Sequence, residues 1–173
     1  MYVVKHVANS LVALGEREGI SLKYPKLQGL IYLFNGIYLA ITGAPVLTDK
    51  FLAAPRGPRL QYLYYQCLPF GHKPISFQYE YSIEPGEEGK LVAARPPEND
   101  SRYYGVLCKV WEWFRHHDAT QLVAMATTPG GPWDVAREAG DIHLHNADII
   151  EHFSKKLMAG ANGLPILALS QGE

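Results

Sequence analysis

The groups in this chain that could do chemistry are seven histidines, two cysteines, three notable serines and a scatter of basic and aromatic residues. His143 and His145, with Asp141 and His152 nearby, form the densest set. Imidazoles are common transition-metal ligands, so this set would suit a small metal-dependent hydrolase. No carboxylate pattern completes the ligand set, and histidines just before a helix start are more often surface residues. A thiol nucleophile built on Cys67 or Cys108 fits less well, because both lie in apolar neighbourhoods and read as buried small hydrophobes. Ser10, Ser101 and Ser154 have no nucleophile elbow around them. The sequence holds no Walker loop, G-x-G-x-x-G, H-E-x-x-H or C-x-x-C. The reading is therefore of a protein that is not an enzyme, with no catalytic residue, metal or cofactor assigned.

Binding chemistry has one basic candidate. Lys23, Lys26, Arg56, Arg59 and Lys73 could gather on one side with Tyr62 and Tyr65 among them, as a nucleic-acid surface would require. A scattered, solvated set is the preferred reading, and the formal net charge of -1 names no polyanionic partner. At 47% hydrophobic the chain is not disordered by composition, and 173 residues suit one domain with a substantial core. Two distant cysteines suit reduced thiols in the cytoplasm. The N-terminal stretch lacks a basic region followed by a small-residue cleavage site, so no signal peptide is expected.

The elements that must position these residues are organised around Tyr24–Gly43. Leu27, Ile31, Phe34, Tyr38 and Ile41 recur at helical spacing, while Leu30, Leu33, Ile37 and Leu39 carry the apolar surface around the other sides. That is a core helix at about 25–42, with Pro25 in its first turn and Gly43 as its stop. Lys26, Gln28 and Asn35 interrupt the run, so a membrane span is rejected. Gly29 and Gly36 cost helix stability and imply that another helix approaches closely.

A first helix is expected over 2–18, an extended piece around Phe51–Ala53, and a short helix over 59–68 with Tyr62 and Tyr65 pointing away from its apolar face. Alternation of Ile75, Phe77, Tyr79, Tyr81 and Ile83 with polar residues predicts a half-buried strand, returning at 90–94 to make a small antiparallel hairpin at about 74–95. Further helices follow. One is capped by Asp100 or Ser101 and carries Tyr103, Val106, Leu107, Val110, Trp111 and Phe114 inward. A short one begins with an Asp118/Gln121 capping box, another begins at Gly131–Pro132, and a last runs from Asn146 to Met158. The fold class is α+β, predominantly α-helical, with helices packed round the helix at 25–42.

Several of these stretches carry a resemblance. The run PKLQGLIYLFNGIYLAITGAP resembles the signature of the Panacea domain, usually close to LKLQKLLYFAQGWYLALTGEP. Phe51, Ala53, Arg56, Gly57 and Pro58 resemble the family's F-x-A-W-x-x-G-P-V block, and Trp111 matches an aromatic position of a later helix. Gly130–Trp133 resemble its G-G-P-W block, and Ile142–Phe153 its closing I-x-N-x-x-I-x-x-Y-F element. By this resemblance residues 3–158 form a single Panacea (SocA-like) domain, followed by a tail at 159–173.

The family comprises antitoxins of toxin–antitoxin systems, including phage-associated, prophage-borne GepA-like proteins. The resemblance implies neutralisation of a cognate protein toxin by direct binding in the cytoplasm. It also brings in an ATP-dependent protease as a further partner, with the apolar Leu164–Leu169 as a tether, and leaves homo-oligomer formation open. Lys26, Gln28, Tyr32, Arg56, Gly57, Pro58, Thr127, Gly131 and Trp133 are its motif or partner-binding positions here. Of these Tyr32 and Trp133 are expected in the core, and Lys26, Gln28, Arg56 and Thr127 in a polar contact between helix and loops. The sequence departs from the family at Ala126 and Thr127, where Thr and His are usual, at Arg59 in place of Val, and at Ala54 or Pro55 in place of Trp.

Overall fold

The structure, a computed structural model, describes residues 1–82 and 89–159. The tether at Leu164–Leu169 and Gly160, expected to close the last helix, lie outside these residues. Among the described residues there are seven α-helices and two two-stranded antiparallel sheets. No helix among them is long and apolar enough to cross a membrane.

The architecture is the α+β, mainly helical arrangement that the apolar periodicity predicts. α2 (Tyr24–Thr42) lies at its centre and packs against α4 (Ser101–Phe114), α5 (Ala119–Ala126) and α7 (Asn146–Ala159). Its own Leu27, Leu30, Ile31, Phe34 and Ile37 are fully buried, so apolar area is removed from water on every side of the helix. The two glycines admit its neighbours. A β-carbon at Gly29 would stand 2.7 Å from Leu122 Cβ on α5, and one at Gly36 would stand 2.2 Å from Phe153 Cε2 on α7. Gly43 ends α2 at φ 67°, where its N–H donates to the Leu39 carbonyl.

α4 buries the six residues its spacing selects, and Asp100 caps it by accepting the Tyr103 N–H. Cys67 is buried, but Cys108 is exposed on the outer face of α4, which corrects its reading as a core thiol. α1 (Val4–Glu18) covers α2 from another side and ends at Gly19 in the left-handed region, φ 69°.

Two sheet regions differ from expectation. The extended piece near Phe51 is one arm of a hairpin, β1 (Leu52–Ala54) paired with β2 (Gly57–Arg59) across the turn at Pro55 and Arg56. The segment 142–144 lies along the other side of β1, with Ala53 N–H donating to the Ile142 carbonyl at 2.8 Å and Leu144 N–H to Phe51 at 2.9 Å. The hairpin expected at 74–95 exists, but its strands are only β3 (Glu80–Ser82) and β4 (Lys90–Val92). Upstream the alternation fails, because Gln78 is buried and Tyr79 is 58% exposed. The cause is Asn9 on α1. Its Oδ1 accepts the Gln78 N–H at 2.8 Å while its Nδ2 donates to the carbonyls of Gln78 and Ala94. A buried side chain from 69 residues away thus replaces a strand ladder.

Candidate functional site

Tyr24, Gln28 and Tyr32 follow one another at four-residue intervals on α2 and so share one face near its N-terminus. Together with the β1–β2 hairpin, α3 (Gln61–Cys67) and α5 it encloses a cavity of about 780 Å³, lined among others by Gly57, Pro58, Tyr64, Ala119 and Val123.

The rings hold the walls in place. Tyr32 meets Phe51 and Phe153 edge-on at centroid distances of 5.3 and 5.7 Å, and Tyr24 meets Tyr64 at 5.7 Å. The Arg59 guanidinium stacks over the Tyr64 ring at 5.1 Å. Burial pushes the Tyr24 hydroxyl up to about 12, against the opposing pull of Arg59, and burial raises Tyr32 as well. Both phenols are neutral at physiological pH.

Polar atoms at this cavity lack partners. Gln28 Oε1 accepts the Leu60 N–H at 3.3 Å, which leaves Gln28 Nε2 as a buried donor with no acceptor. Tyr32 Oη and Arg59 Nε are likewise buried and unpaired. All three are sealed from solvent, so they lie within the walls and not on the open face of the cavity. The lining carries Arg56 and Arg59 and no carboxylate.

The motif positions separate into three groups. Gln28, Tyr32, Arg56, Gly57 and Pro58 line the cavity, with Arg56 exposed at its rim. Thr127 and Trp133 support the hairpin instead. The Thr127 methyl stands 3.3 Å from where a β-carbon on Gly57 would be, and the Trp133 indole N–H donates to the Ala54 carbonyl at 2.8 Å. Arg137 lies over the Trp133 ring at 5.6 Å, and that ring is half-buried rather than in the core. Gly131 caps α6 (Pro132–Ala139) and lies against His152.

Lys26 is the third group. Residues two apart on a helix do not face each other, so it points away from Gln28, and its Nζ donates to the Arg115 carbonyl at the end of α4. The expected polar contact among Lys26, Gln28, Arg56 and Thr127 therefore does not form. Of the four, Gln28 accepts the N–H of Leu60, the residue just after the hairpin, and the Thr127 hydroxyl donates to its own helix at Val123. Sequence reading did not single out Tyr24 and Tyr64 and took Arg59 as one of a scattered basic set and as a departure from the motif, although the Tyr24-Gln28-Tyr32 spacing signals a shared face.

The histidines do not assemble. His143 and His145 are exposed, His145 Nε2 lies 3.0 Å from Asp141 Oδ2, and His152 stands apart beside Gly131. Among the described residues no three His, Cys, Asp or Glu side chains come together as metal ligands. Nothing here favours the hydrolase reading. Close to the cavity, α3 and its continuation expose Tyr62, Tyr65 and Leu68 at three-residue intervals, with Tyr65 57% exposed.

No family model matches the chain, and no solved structure matches it. Over 130 residues, 75% of this chain and 67% of the relative, it is 28% identical to a protein named Antitoxin SocA from Caulobacter vibrioides (strain NA1000 / CB15N).

Proposed function

We propose that this chain is an antitoxin that neutralises a cognate protein toxin by binding it directly, with residues 3–158 as the binding domain. The observation that carries the reading is the similarity to Antitoxin SocA along three quarters of the chain. The motif residues that resemble the Panacea domain and the GepA-like proteins point the same way. Tyr62, Tyr65 and Leu68 supply the kind of surface a partner would use, since exposed aromatic side chains bury much area at little conformational cost and are enriched in interface cores. Tyr32, Gln28 and residues 56–58 line the cavity together with Tyr64 of the same helix α3, and Trp133 bonds to the hairpin at Ala54.

Coexpression with the protein encoded next to this chain tests the reading. Relief of a growth arrest that the neighbour causes alone is expected; an arrest that persists with the chain well expressed would overturn it. Delivery of the toxin to an ATP-dependent protease is a further step of the same proposal. Removing residues 161–173 would then slow toxin turnover in cells, and unchanged turnover would leave neutralisation by binding alone.

A further inference from the structure

We propose that the exposed face of α3 and its continuation receives an acidic patch of the partner protein, one with an apolar centre and carboxylates around it. This deepens the antitoxin reading and rests on it. Charge is segregated along the chain. Residues 19–79 hold six lysines and arginines but a single carboxylate, Asp49, whereas the whole chain holds 16 basic and 17 acidic residues. From Lys50 to Tyr79 there is no acidic residue at all.

The fold gathers four of these cations round the stripe of Tyr62, Tyr65 and Leu68. Arg56 and Arg59 precede it in the β1–β2 hairpin, and the Arg59 guanidinium stacks over the Tyr64 ring of α3 at 5.1 Å. Lys73 follows it, with its N–H donating to the Phe70 carbonyl at 2.9 Å. Lys23 is brought alongside by both its neighbours: the Leu22 carbonyl accepts the Ile75 N–H at 2.7 Å, and Tyr24 meets Tyr64 edge-on at 5.7 Å. Lys23, Arg56 and Lys73 are exposed. Among the described residues none of the four cations forms an ion pair, whereas Lys5, Lys109, Arg115 and Lys155 do.

Cations without partners around an uncharged aromatic stripe choose the occupant. Interfaces place apolar side chains at the centre and polar ones at the rim, so the stripe takes apolar groups and the flanking cations take carboxylates. A basic partner would meet like charge at both ends of the stripe. A long polyanion such as nucleic acid draws its affinity from many phosphate contacts and would run on from this surface over the net acidic remainder of the chain. A compact acidic patch on a protein meets the cations alone.

The test titrates the full chain with the purified product of the neighbouring gene by calorimetry, at about 50 and about 500 mM salt. The complex is expected to weaken by about tenfold or more at the higher salt, because exposed opposite charges are screened. Arg56→Glu combined with Lys73→Glu should weaken it by about tenfold or more at the lower salt. The matched pair Lys109→Glu and Lys155→Glu, on α4 and α7, should leave it unchanged, and circular dichroism of both variants should stay that of the wild type. Salt-independent affinity, or wild-type affinity in the variant reversed at Arg56 and Lys73, would overturn this inference and leave the antitoxin reading standing. No complex with the wild-type chain would overturn both. A single-stranded oligonucleotide that binds as tightly as the neighbour, and is lost in the same variant, would assign the surface to nucleic acid and overturn the inference as well.

Discussion

Gly36 of α2 lies so close beneath the ring of Phe153 on α7 that a β-carbon at position 36 would stand 2.2 Å from Cε2 of that ring. The ring cannot simply swing away, because its neighbour Tyr32 meets it edge-on at 5.7 Å. Two helices approach here at a residue chosen for its lack of a side chain.

Gly36→Ala is therefore expected to destabilise the fold by about 1–3 kcal/mol through overpacking, although alanine is the better helix former by roughly 1 kcal/mol. Gly105 is the matched control, since a β-carbon there meets nothing within 4 Å on the exposed side of α4. Gly105→Ala should raise stability by about 0.5–1 kcal/mol. Urea midpoints of the two variants check this; equal midpoints would contradict it.

Asn9→Leu should expose the dependence of the 75–79 segment on one side chain. The change keeps the branched heavy-atom outline of the side chain and removes the groups that pair with the Gln78 N–H and with the Gln78 and Ala94 carbonyls. Leaving buried backbone groups unpaired costs about 1–3 kcal/mol each, so loss of hydrogen-exchange protection at the Gln78 amide and a lower urea midpoint are expected. Protection that survives the substitution would mean that the segment is held by something else.

This contact also explains where the sequence was legible and where it was not. Helical periodicity selects α2 and the whole inner face of α4, because burial on one face of a helix is a local property of the spacing. The stop at Gly43, the cap at Asp100 and the Asp118/Gln121 capping box are local as well. Tyr79 misleads because alternation says nothing of Asn9, and Cys108 misleads because small apolar neighbours in sequence need not be neighbours on one helix face. The β1–β2 hairpin is hidden in a stretch rich in proline and glycine, where pairing is set by the tight turn at 55–56 and by the 142–144 segment. Of the motif positions, five meet at the cavity; adjacency in the motif concealed that Lys26 and Gln28 leave α2 in different directions.

Acid should weaken the attachment of β3 to α1. Glu80 pairs with Lys5 and with His6, and the Lys5 bond first, then His6, holds its carboxyl below the usual range against the opposing effect of burial. A lowered folded pKa contributes stability that is present above the unfolded glutamate value of about 4.3 and is lost as the pH falls through the folded value. The thermal midpoint difference between wild type and Glu80→Gln should be small, because the pair is partly solvated, and should vanish in acid. A difference that is constant with pH would contradict this.

The central claim, direct binding of a protein toxin, is tested most directly by titrating the purified neighbouring gene product with this chain and measuring complex formation by calorimetry. A saturable complex is predicted, weakened by about tenfold or more in Tyr65→Arg, which places charge in the exposed stripe of α3 without touching the core. A neighbour that arrests growth yet forms no complex with the wild-type chain at micromolar concentrations would contradict the claim.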